Sequence, residues 1–150
     1  MKALIALMMI AHLTDFGMHK AAAEARIIKE EGLERVVLSC YLPTGNNCAD
    51  GTPPHKGVVS SNRDHLGDIC IVYDPEQLIP DMVLECHDVG GNQLLREGKA
   101  IDIFAEDMDT ALAIRKKYGT HVYVKWIDKE ELKGNGDGQI QGASQTLRAE

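Results

Sequence analysis

Gly98-Lys99-Ala100-Ile101-Asp102-Ile103-Phe104 is the stretch on which the fold turns. Its β-branched and aromatic residues suit a strand, and a strand turns successive side chains to opposite faces. Ala100, Asp102 and Phe104 therefore share one side, and Ile101 and Ile103 the other. A carboxylate flanked by apolar neighbours in mid-strand is costly to ionise, so such residues are paired or used. Desolvation, and any carboxylate nearby, pushes its pKa upward. That is the condition for a general acid working near neutral pH. Asp102 is thus the first candidate for catalysis.

Outward from this strand the same pattern recurs. Arg35–Leu42, Gly57–Ser60, Ile69–Tyr73 and Met82–His87 precede it and His121–Ile127 follows, each a short apolar run bounded by Gly, Pro, Asp or Asn. One helix interrupts them late: Asp107 or Asp109 caps it, Ala111, Leu112 and Ile114 supply apolar bulk, Arg115, Lys116 and Lys117 suit its C-terminal end, and Gly119 stops it. The pattern predicts a mainly β protein with minor α, its six strands closed into a barrel because closure removes exposed edges. The loop Pro43–Lys56, rich in Gly, Asn and Pro, separates the first two strands. An N-terminal helical segment, Ala21–Glu31, is stopped by Gly32.

The chain has 150 residues, enough for one domain with a real core. Its net charge of −7, with no basic run, argues against a nucleic-acid partner. Lys2, the apolar run Ala3–Ala11 and the small residues around Ala21-Ala22-Ala23 and Ala23-Glu24-Ala25 read as an export signal over residues 1–25, too short to span a bilayer. Residues 26–34 then form a helical linker, 35–128 the barrel, and 129–150 a polar tail expected to be disordered. Asn135–Ile140 imitates part of a calcium loop, but Lys133 in the first ligand position and Ser144 in the twelfth are wrong for the ion. His65, Cys86 and His87 lack metal-site spacing, so no metal is expected. Cys40, Cys48, Cys70 and Cys86 allow up to two disulfides in an exported protein. Cys40 and Cys48 flank a short loop and are the favoured pair, and Cys70 and Cys86 read as buried thiols.

Two further aspartates sit at strand ends. Asp74 closes Ile69–Tyr73 and precedes Pro75; Asp88 follows Met82–His87 and precedes Val89-Gly90-Gly91. Each alone is explained by a turn. Taken in order, however, Val72-Tyr73-Asp74-Pro75, Ile79-Pro80, Asp88-Val89-Gly90-Gly91 and Gly98–Phe104 resemble the three-aspartate (3D) domain family of peptidoglycan lytic transglycosylases. The resemblance covers about Leu38 to Ile127 and continues through Ala111-Leu112-Ala113-Ile114 and Val122-Tyr123-Val124. Asn92–Glu97 is longer and bulkier than the family's turn at that place, and Val59-Ser60-Ser61-Asn62 stands where the family lines its groove with Thr-x-Ser-Gly.

The resemblance implies a double-psi β-barrel with an open glycan groove and cleavage of the bond between N-acetylmuramic acid and N-acetylglucosamine without water. It implies Asp102 as acid and then base, Asp88 as its support, Asp74 as a member of the motif, and Ser60 and Ser61 at the place of the groove lining; Gly90 and Gly91 are expected to bring their N–H groups close to the glycan, since glycine lets a chain approach. No cofactor is implied. The partner is the peptidoglycan glycan strand and the place of action the cell envelope or exterior. The rival reading is a non-catalytic double-psi barrel that binds wall glycan.

Overall fold

The computed structural model describes residues 18–134. A helix over residues 18–31 (α1) leads into six strands: β1 Glu34–Tyr41, β2 Val58–Ser61, β3 Ile69–Tyr73, β4 Pro80–Val89, β5 Ala100–Phe104 and β6 His121–Ile127. Three helices join or follow them: α2 Gln93–Arg96, α3 Met108–Tyr118 and α4 Lys129–Gly134. The strands close into a barrel in the order β1-β5-β2-β4-β3-β6. Two neighbouring pairs are parallel, β1 with β5 and β2 with β4, and the other four are antiparallel. Exchanging β1, β2 and β3 for β4, β5 and β6 leaves every adjacency and direction unchanged. The fold is therefore a closed six-stranded mixed barrel with the internal symmetry of a double-psi barrel.

Alternation explains the core. Val36 and Leu38 of β1, Val59 of β2, Cys70 and Val72 of β3, Leu84 and Cys86 of β4, Ile101 and Ile103 of β5, and Val122 and Val124 of β6 fill the interior. Full burial of such an aliphatic side chain contributes roughly 1.5–3 kcal/mol. The α3 helix packs on the barrel with Tyr118 in the same cluster. Its start is the expected one: the Asp107 carboxylate accepts the Thr110 N–H at 2.7 Å. Gly119, at φ 75°, ends it. Arg115 donates to the Leu38 carbonyl at 2.9 Å and so ties α3 to β1.

Two expectations change, at the segment 92–97 and at the Cys40–Cys48 pair. The segment 92–97 is a helix, not a bulky turn: the Asn92 side chain caps α2 by accepting the Leu95 N–H at 2.9 Å. Past β6 the chain continues into α4. The Cys40–Cys48 bridge is absent, and all four cysteines are free thiols. Cys40 packs against the interior, whereas Cys48 belongs to a separate outer cluster with Val58, Phe104 and Tyr41. The two sulfurs face opposite sides of the barrel wall. Cys70 and Cys86 are fully buried in the core. The apolar run Ala3–Ala11 and the calcium-loop imitation Asn135–Ile140 lie outside the described residues. Among the described residues no helix is long and apolar enough to cross a membrane.

Candidate active site

Register builds the site. Ser39 of β1 pairs with Asp102 of β5, Asp102 pairs with Ser60 of β2, and Ser60 pairs with Asp88 of β4. Paired residues on adjacent strands point to one face. Ser39, Asp102, Ser60 and Asp88 thus form one row across four strands, on the outer face, because Leu38, Val59, Cys86 and Ile101 beside them fill the interior. Asp88 joins the row only through a register shift between Val59 and Ser60, which leaves His87 as the extra residue of a bulge. Bulges re-aim side chains in this way, often beside active sites.

Asp102 is half-buried, and its Oδ1 is sealed from solvent with no hydrogen-bond partner. Burial pushes its carboxyl pKa up; the nearby Ser39 hydroxyl works against that, and the charge of Asp88 adds to the rise. Ser39 itself donates to the Ile101 carbonyl at 3.3 Å. Oδ1 of Asp88 accepts two backbone N–H groups, from Ala49 and Val89, each at 2.9 Å. The Ser60 hydroxyl is buried without a partner. So is the phenol oxygen of Tyr41, which has no nitrogen or oxygen partner and lies beside the Cys48 sulfur. Burial first, then the neighbouring Cys48, Asp88 and Asp102, holds that phenol well above its usual range, so it remains a proton donor.

Unpaired buried polar atoms are costly. Three of them, on Tyr41, Ser60 and Asp102, are gathered on one face beside a second carboxylate. Chemically the arrangement offers one carboxyl biased toward its protonated form, one held by N–H donors, and hydroxyls able to give or accept.

The residues read from the sequence divide as follows. Asp102, Asp88 and Ser60 come together. Ser61, one residue on, is turned by strand alternation away from the row, and its hydroxyl is buried and unpartnered elsewhere. Gly90 flanks the site in a different role. Its N–H donates to the Ser61 carbonyl at 2.9 Å, and a Cβ there would lie 2.2 Å from Cδ1 of Leu95. This glycine admits Leu95, not a ligand. Gly91 has open space around it, and its carbonyl accepts Nη1 of Arg96 at 2.7 Å. Asp74 is at the other end of the barrel. Its backbone N–H donates to the Ile79 carbonyl, before β4 begins, whereas Asp88 stands near that strand's end. Its Oδ1 accepts the N–H groups of Glu76 and Gln77 at 2.9 and 2.8 Å, which makes it the organiser of a turn. His65 lies stacked on Trp126 at 3.9 Å and bonds Asp68 at 3.1 Å. His87 bonds Asp50, while Cys86 is sealed in the core.

Sequence reasoning missed Ser39, Tyr41 and the backbone of Ala49. The strand reading of Arg35–Leu42 already put Ser39 and Tyr41 on one face opposite Leu38 and Cys40. It did not tell which residue of β1 meets Asp102, because that pairing spans more than sixty residues. No protein-family model matches the chain, and no curated protein matches it in sequence.

Proposed function

We propose that the chain is a peptidoglycan lytic transglycosylase that cleaves the bond between N-acetylmuramic acid and N-acetylglucosamine, with Asp102 as general acid and base. One observation carries the reading: a half-buried carboxyl with one sealed, unpartnered oxygen and a raised pKa, in a row with Ser60 and a second carboxylate. Protonated Asp102 donates to the glycosidic oxygen as the bond breaks. The sugar carbon, now cation-like, is captured by the same residue's own O6 hydroxyl. Asp102, left as carboxylate, takes the hydroxyl proton and is restored. The product ends in a 1,6-anhydro ring. Intramolecular capture gains from proximity, so no positioned water is required. A hydrolase, in contrast, needs two carboxylates placed across the scissile bond. Asp88 favours the protonated form of Asp102 by like charge.

On this reading the glycan strand is the partner, residues 1–25 direct export, and the cell envelope or exterior is the place of action. The experiment is mass spectrometry of muropeptides from purified sacculi incubated with the protein or with its Asp102→Asn variant. Anhydro-muropeptides made by the parent alone support the proposal. Reducing ends mean hydrolysis. An unchanged digest with protein co-sedimenting on the sacculi means a glycan-binding barrel.

A further inference from the structure

The strands β2 and β5 run antiparallel, with Val59 opposite Ile103 and Ser60 opposite Asp102. Val59 and Ile103 fill the interior, so Ser60 and Asp102 oppose each other on the outer face. Directly opposed residues of such a pair hold their Cβ atoms about 4.5–5.5 Å apart. A hydroxyl and a carboxyl extending from those positions can meet by side-chain rotation alone, with the backbone at rest. Ser60 is 1% exposed and its Oγ has no partner. Oδ1 of Asp102 is sealed and unpartnered as well. A serine hydroxyl donates and a carboxylate accepts, so the two orphans are complementary. Ser39, paired with Asp102 from the other side, leaves Oδ1 unserved, since its hydroxyl donates to the Ile101 carbonyl at 3.3 Å.

We propose that Ser60 is a positioning residue for Asp102: once the acid has given up its proton, the Ser60 hydroxyl turns across the strand pair and donates to the sealed Oδ1. The inference rests on Asp102 being the working acid, and it adds how the base form of that acid is held. No proton passes between the two side chains. Ionisation spreads the charge over both carboxyl oxygens, and solvent does not reach Oδ1. A buried charge without a donor is costly, and a hydrogen bond to a charged oxygen is among the strong ones. Ser60 meets that need from a rigid strand. The bond keeps Oδ1 with the protein and leaves Oδ2 to exchange the proton with the glycan. Around the carboxyl, β4 contributes Asp88, and β1 contributes Cys40 and Tyr41. The α3 helix brings Arg115, whose charge reaches Cys40, and α2 brings Arg96, exposed and bonded to the Gly91 carbonyl. The strand β2, Val58–Ser61, carries no titratable side chain, so Ser60 is what it offers to Asp102.

The test is a carboxyl-carbon NMR titration of Asp102 in the glycan-free protein, its resonance identified by loss in Asp102→Asn. It compares the parent with Ser60→Ala and with Ser60→Cys, which keeps the size but donates weakly. In both variants Asp102 should hold its proton about tenfold more tightly, the lower end of what a bond to a charged group is worth. The midpoint moves to higher pH because the lost bond favoured the ionised form. The alkaline limb of the pH–rate profile should move with it. A midpoint unchanged in either variant overturns the proposal, and so does a midpoint that falls. The titration needs no turnover, so its failure is distinct from failure of the transglycosylase reading: a midpoint that rises in a protein releasing no anhydro-muropeptides supports the Ser60–Asp102 coupling and refutes the transglycosylase.

Discussion

The two halves of the barrel, β1–β3 and β4–β6, share a pairing pattern and divide the chemistry between them. With the Ser60–Asp102 pair at the centre, the symmetry carries Ser60 onto Asp102 and Ser39 onto Asp88. The first half thus holds serines where the second holds aspartates. The connections after β1 and β4 also correspond, and both flank the row. The first, through residues 47–52, is fixed by polar ties to His87 and Asp88. The second, through α2, is fixed by Leu95 packed into the space left by Gly90. One fold has been given an acidic half and a hydroxyl half, with one connection held by polar ties and the other by apolar packing. The interior hardly differs between halves, with Val36 and Leu38 answering to Leu84 and Cys86. Core packing sets the scaffold, and the outward positions are free to diverge.

The sharpest way to break this comparison is to exchange the symmetric pair. Asp102→Asn should cost ~10²–10⁴-fold or more in anhydro-muropeptide release, since one group serves both proton transfers. Ser60→Ala should cost only ~2–10-fold, the worth of one hydrogen bond to substrate. Equal losses would mean that the halves contribute alike. The Asn variant should also melt no lower than the parent at neutral pH. A carboxyl whose folded pKa is raised loses stability as pH climbs through that value, because the folded state binds the extra proton. Removing the charge removes that loss. Thermal melting from acid to neutral pH checks the sign.

Asp88 and Ser39, the second symmetric pair, act on Asp102 in opposite senses. Asp88→Asn removes a charge that raises the Asp102 pKa, so the alkaline limb of the pH–rate profile should move to lower pH. Ser39→Ala removes a hydroxyl that lowers it, so the limb should move to higher pH. Both variants should keep more activity than Asp102→Asn. Shifts in the same direction would refute the assignment of roles.

The apolar anchoring of α2 is tested by Gly90→Ala. The added methyl meets Leu95 at 2.2–2.7 Å and should destabilise by ~1–3 kcal/mol, the usual cost of overpacking. Chemical denaturation measures it. Stability unchanged from the parent would mean that the packing of Leu95 on Gly90 does not anchor α2. The smallest effect is expected at Asp74→Asn: release of anhydro-muropeptides within ~2-fold of the parent, because an amide oxygen can still accept the N–H groups of Glu76 and Gln77.

Much of this was legible in the residues. Ile69–Tyr73, Ala100–Phe104 and His121–Ile127 are strands at the bounds their composition predicts, and closure follows from their number and shortness. β4 is longer than its apolar part, because Asp81, Glu85 and Asp88 stand outward on a strand still paired to its neighbours. Asp102 declared itself by polarity at a buried position. What stayed hidden depends on tertiary register. That Ser39 meets Asp102, that Cys40 and Cys48 face opposite ways, and that Asp74 lies at the far end from Asp88 follow from which strands pair and where. Local pattern holds no such information. α2 was missed for another reason: four residues are too few for helical periodicity to show, and only Asn92 as its cap gave a signal.

The four-residue β2 has a consequence for how the chain reaches this state. Both its neighbours, β4 and β5, come from the second half, and β1 likewise waits for β5. The parallel pair β2–β4 needs the chain as far as Val89 and the pair β1–β5 needs it as far as Phe104, so closing the barrel gathers segments some sixty residues apart. Loop-closure entropy makes such assembly slow, on the millisecond-to-second scale of β topologies with distant pairing. Neither half holds a sheet it can complete alone, and a chain cut in the connection between β3 and β4 should yield two fragments that fold only when mixed.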